Sequence, residues 1–97
     1  MKVDLEKDQI KNYRHGKILL KVYDFEVRWY DPEAIDQPYK VKRAEVDYYV
    51  KQIKKDNQIP AVIVLTQEGI VAGFHVLEAF KQLKYQRIPI LWGKYKK

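Results

Sequence analysis

Residues 59–92 run Ile59-Pro60-Ala61-Val62-Ile63-Val64-Leu65, Thr66-Gln67-Glu68-Gly69, Ile70-Val71-Ala72-Gly73, Phe74-His75-Val76-Leu77-Glu78-Ala79-Phe80-Lys81-Gln82-Leu83-Lys84 and, after Tyr85-Gln86, Arg87-Ile88-Pro89-Ile90-Leu91-Trp92. The first segment is β-branched and continuously apolar, as a strand buried on both faces should be. Thr66 to Gly69 is a turn, with Gly69 free to take positive φ. Ile70-Val71-Ala72 is the short return strand, and Gly73 stands where strand gives way to helix. Over Phe74–Lys84 the period becomes helical. Val76, Ala79, Phe80 and Leu83 form a buried stripe, with His75, Glu78 and Gln82 on the polar side. Arg87 to Trp92 is a last strand, and Gly93-Lys94-Tyr95-Lys96-Lys97 follows as a basic tail. Two strands opened by Ile-Pro with a helix between them are natural parallel neighbours.

Working outward, Arg43–Asp56 has apolar residues at Val46, Tyr49, Val50 and Ile53, one face of a helix. Lys54 and Lys55 suit the negative end of its dipole, and Asn57 suits its C-terminal cap. Before it, Tyr23, Phe25, Val27 and Trp29 alternate with Asp24, Glu26 and Arg28, which predicts a half-buried strand over residues 18–30. These aromatics are expected in the core rather than stacked on bases. Asp31-Pro32 ends the strand and can cap a short helical turn through Ile35. Leu5, Ile10 and Tyr13 mark a loose helical stripe, closed by a turn at Arg14-His15-Gly16-Lys17. The expected fold class is α/β, a small mixed sheet with helices, in one domain over 1–97.

Composition narrows the functions. The 97 residues support a single core. No cysteine is present, which removes disulfides, thiol catalysis and thiolate metal sites. The charged start, Met1-Lys2-Val3-Asp4-Leu5-Glu6-Lys7-Asp8, lacks the apolar stretch of a secretory signal, and no run is long enough to span a membrane. An intracellular, cytoplasmic protein without membrane partners is expected, with its oligomeric state open to a second subunit that adds to the core. Two histidines sixty residues apart, without convergent carboxylates, predict no metal site. Nineteen basic residues against thirteen acidic ones give a net charge of +6. That balance points to DNA or a nucleotide as partner.

The ordered set of Ile59–Val64, Gly69–Leu83 and Ile88-Pro89-Ile90, with a helix before it, resembles the ParB-like domain of the ParB/sulfiredoxin superfamily over about 36–93. The resemblance implies a nucleotide or phosphate site at Gly73, Phe74 and His75, where the family carries Gly-x-[His/Arg]-Arg at a helix start. It also implies a role for Arg43, which aligns with a basic residue ahead of the family's first helix. The match departs at two places. Phe74 stands where sulfiredoxins have the reactive cysteine, which removes sulfinic acid reduction. Val76 stands where the family has arginine, so a bidentate phosphate cation is gone unless Lys40, Lys42 or Arg43 replaces it. The expectation is a non-catalytic module for DNA or a nucleotide, with Lys94, Lys96 and Lys97 as nucleic-acid contacts. The alternatives are a ParB-like nuclease or nucleotide hydrolase, and a protein-interaction module that has lost the ligand. By analogy with small stand-alone relatives, a mobile genetic element is the expected setting.

Overall fold

Alternation of apolar and charged residues builds the first strand, but the strand starts later than its sequence suggests. A computed structural model describes residues 16–58 and 61–96. In it Gly16–Val22 is a helix, α1, and β1 spans Tyr23–Tyr30. Residues 18–22, expected as strand, are therefore helical, and Gly16-Lys17, expected as a turn, open that helix. The physical reason lies in Ile18-Leu19-Leu20, which has no alternation. Leu19 and Leu20 instead pack from the helix onto Tyr23 and Phe25. The stripe expected at Leu5, Ile10 and Tyr13 lies outside the described residues.

Asp31 accepts from the Glu33 amide at 2.9 Å and caps a single 3-10 turn at Pro32–Ala34. Helix α2 is Arg43–Asp56, and Asn57 ends it at φ 50°, a left-handed conformation that asparagine tolerates. Strands β2, Val64–Thr66, and β3, Gly69–Ala72, form the hairpin. Thr66 braces it, accepting from the Glu68 amide and donating to the Gly69 carbonyl. Helix α3 is Phe74–Gln82, two residues shorter than its apolar period predicts. Lys84 turns left-handed at φ 58°, and the Tyr85 amide reaches back to Phe80 while the Lys84 amide reaches Lys81. That is the Schellman closure, completed by the Phe80–Tyr85 ring contact.

The final strand, β4, spans Ile88–Tyr95. It lies centrally in the order β1-β4-β2-β3, antiparallel to β1 and parallel to β2. Residues 93–95, expected as tail, are thus sheet. Tyr23, Asp24 and Phe25 pair with Tyr95, Lys94 and Gly93, and Tyr95 stacks on Tyr23 with ring centroids 5.0 Å apart. Glycine at 93 is not a loop signal here. A Cβ there would lie 2.6 Å from the Phe25 ring, so the bare backbone makes room for that ring.

One sheet face packs under α2 and α3, burying Ile53, Ile63, Phe80, Ile88 and Ile90 among others. The other holds a smaller cluster of Tyr23, Phe25, Val64 and Leu91. Ile63 and Val64 thus enter opposite layers, as a strand buried on both faces requires. No helix among the described residues is long and apolar enough to cross a membrane.

Replacing Gly93 by alanine should cost about 1–3 kcal/mol, because the buried Phe25 ring must move to admit the methyl group. Urea unfolding of the variant measures this. A loss below about 0.5 kcal/mol, the scatter of surface substitutions, would place residue 93 outside the sheet.

Candidate functional site

Gly73 joins β3 to α3 in a left-handed conformation, φ 85° and ψ 29°. An added Cβ would sit 2.8 Å from both the Ile63 Cα and the Val62 carbonyl oxygen. Conformation and space both demand glycine. The close approach sets the first turn of α3 against the chain leading into β2. Gly73, as the N-cap residue, has no side chain to accept from the first amides of α3.

Around this junction lies a cavity of about 160 Å³, lined by Tyr49, Ala61, Gly73, Phe74, His75 and Val76. Phe74 packs on Tyr39 at 4.5 Å between centroids, and Tyr49 meets Tyr48 at 5.5 Å. Aromatic rings therefore gather at a helix start. Sequence reading located Gly73, Phe74 and His75 but assigned Tyr49 wholly to the core. The one available signal was chemical, a phenol among the aliphatic residues on that face of α2.

His75 bridges two helices. Its Nε2 accepts from the Lys42 amide at 3.1 Å, and its Nδ1 lies 3.3 Å from Glu45 Oε2. An acceptor at Nε2 assigns the proton of the neutral ring to Nδ1, which faces the Glu45 carboxylate. Lys42 is the N-cap residue of α2 and Glu45 is its third helical residue. In an ordinary capping box that glutamate would reach back to the N-cap amide itself. Here the imidazole of α3 stands between them and ties the two helix starts together.

The other expected site residues are elsewhere. Arg43 has its side chain 79 % exposed and pairs with Asp47 at 3.5 Å. It borders a separate open hollow of about 410 Å³, with Val41, Glu78, Lys81 and Gln82 among its walls. Lys81 holds the floor of that region through the Ile35 carbonyl at 3.1 Å. Val76, in the position of the family's arginine, is 1 % exposed and part of the core. Lys94 and Lys96 lie at the far end of β2 from Gly73, where the Tyr95 amide bonds the Gln67 side chain of the hairpin turn. Lys97 is outside the described residues. The sequence's two groups of candidates therefore occupy opposite ends of the sheet.

Among the described residues no three histidine, aspartate or glutamate side chains converge as a metal site would need. Among the described residues, the Arg28 guanidinium is held above its ordinary pKa. Its hydrogen bond to Glu26 is the main cause, against a smaller opposing effect of desolvation. That pair sits on β1, across the sheet from Gly73. A scan of protein-family models matches none to this chain, and no curated protein matches it.

His75→Ala should destabilise the fold by about 1–2 kcal/mol, the usual effect of losing a helix cap partner. Thermal or urea unfolding reads it. An unchanged midpoint would mean that the imidazole does not join α2 to α3.

Proposed function

We propose that this chain is a ParB-like module that binds a nucleotide without turning it over, at the cavity where α3 begins. One observation supports this above the others. Phe74 and Tyr49 line a cavity together with the residues that open α3, whose first amides no N-cap side chain accepts from. Aromatic faces hold a base by stacking, and helix-start amides favour an anion, so base and phosphate have adjacent partners. A volume of about 160 Å³ suits one base-sized ring rather than a whole nucleotide. The sugar and phosphates would then lie outward, toward Lys42. The strand–hairpin–helix–strand order, with β2 and β4 parallel, agrees with the ParB-like reading of the motif.

The same geometry favours binding over catalysis. Both ring nitrogens of His75 are engaged in joining α2 to α3, and a general base needs one free to reach a substrate proton. Glu45 keeps a carboxylate beside the anion position, and Val76 supplies no cation to offset it. Affinity for triphosphates is therefore weak. DNA is a lesser candidate, since Lys94 and Lys96 stand at the far end of the sheet.

Titration with mono-, di- and triphosphate nucleosides, followed by amide NMR, tests the proposal. The Gly73, Phe74 and His75 resonances should move. Tyr49→Ala should weaken binding by about tenfold, in line with the loss of one stacking ring. Hydrolysis should not occur. A failure of all nucleotides to shift these amides, or turnover by the wild type, would contradict the proposal. Shifts confined to Lys94 and Lys96 on adding a single-stranded oligonucleotide, lost steeply with salt, would move the site to the other end.

A further inference from the structure

β1 closes one side of the sheet, and no strand lies against its outer edge among the described residues. Its pairing with β4 fixes which groups face that edge. The Lys96 amide donates to the Val22 carbonyl at 3.0 Å, and bonded and non-bonded pairs alternate along an antiparallel ladder. Asp24–Lys94, Glu26–Trp92, Arg28–Ile90 and Tyr30–Ile88 are then the bonded pairs. Pro89, which has no amide hydrogen, falls opposite Trp29 in a non-bonded pair. The amides and carbonyls of Tyr23, Phe25, Val27 and Trp29 consequently point outward. Of these, the Trp29 carbonyl also accepts from Arg87 Nη1 at 3.1 Å, which leaves it a second lone pair.

We infer that a second copy of this chain occupies this edge, its β1 antiparallel to the first about a two-fold axis at Val27, so that two four-stranded sheets become one. The inference is independent of the nucleotide site and rests on charge order. With the axis at Val27, Glu26 faces the second copy's Arg28 and Arg28 faces its Glu26. Both pairs fall at non-bonded positions of the new ladder, where side chains approach most closely. Phe25 falls opposite the second copy's Trp29, and Val27 opposite its counterpart. The two nearest registers that keep the same groups bonded centre on Glu26 or on Arg28. They set carboxylate on carboxylate or guanidinium on guanidinium, which is unfavourable.

Charges on edge strands usually prevent association. Here they alternate in sign around Val27, so they select one self-complementary register instead. Pairing also covers apolar surface that the single chain leaves open, since Val27 is 40 % and Trp29 45 % exposed. Glu26 and Arg28, already bonded within the chain at 2.6 Å, become half of a four-charge cluster across the axis.

Sedimentation of the full chain at concentrations up to about 100 μM should show a dimer whose fraction grows with concentration. Glu26→Arg and Arg28→Glu each oppose like charges across the axis and should weaken self-association by about tenfold or more, as two inverted cross-strand pairs imply. Mixing these two variants should restore the dimer. One copy then presents two guanidinium groups to the other's two carboxylates. The pair within each chain stays broken in that mixture, so the rescue cannot come from intrachain repair. A wild type that remains monomeric overturns the inference, as do single variants that associate like the wild type. Variants that fail to associate on mixing, although circular dichroism shows them folded, overturn it equally.

Discussion

Everything else in this molecule leans on β4, which pairs with β1 along its whole length and with β2 on its other side. It joins the antiparallel β1 to the parallel β2, and its side chains enter both layers. Ile88 and Ile90 point into the core beneath α2 and α3, while Leu91 enters the cluster beneath α1. The Leu91 amide donates to the Ile63 carbonyl at 3.0 Å, extending the contact past the formal start of β2. A strand from the end of the sequence thus closes a sheet begun by β1, so the architecture depends on its most non-local pairing. Such pairing must overcome loop-closure entropy before it is rewarded. Its buried isoleucines and the Phe25–Gly93 fit supply that reward.

The candidate site follows from the same arrangement. Once β2 is set beside β4, β3 returns along it and ends at Gly73, where a side chain would strike the Val62–Ile63 backbone. Glycine lets α3 start close to that backbone, and the start of α3 brings His75 to Lys42 and Glu45. Each step follows from the last. The cavity is bounded by α2 through Tyr49, by the chain entering β2 through Ala61, and by α3. Its shape is therefore a property of how three elements meet, and no short motif contains it.

Much of this was legible in the residues. Helix Arg43–Asp56 follows from the spacing of Val46, Val50 and Ile53, and its end from Asn57 and the lysines before it. The hairpin is written in Thr66–Gly69, and the parallel pair in Val64-Leu65 and Ile88-Pro89-Ile90. The first of these strands opens only at Val64, and Ile59-Pro60 lie outside the described residues. Other features depend on partners far along the chain. Gly93-Lys94-Tyr95 has the composition of a tail, and only Phe25 and Tyr23 across the ladder make it strand. Ile18–Val22 is apolar enough for either state, and the cover it gives Tyr23 and Phe25 goes with a helix. Within the site, Gly73 was readable because its conformation and crowding are local demands. The engagement of His75 was not, since its two partners lie on another helix thirty residues earlier. Arg43 sits at the start of the right helix but faces solvent and Asp47, a matter of rotation that spacing alone does not fix.

The central place of β4 is best tested by native-state hydrogen exchange, which reads the opening of individual amides. If the final strand holds the sheet together, the amides of Ile90, Leu91 and Trp92 exchange only through global unfolding. The Lys94 amide, bonded to β1, is then also strongly protected, whereas the edge-facing Val27 amide of the monomer is not. Amides from residue 93 to 95 exchanging at the rate of an open chain, while residues 88–92 stay protected, would contradict this. The last strand would then end where its composition first suggests, and the Phe25–Gly93 contact would not exist.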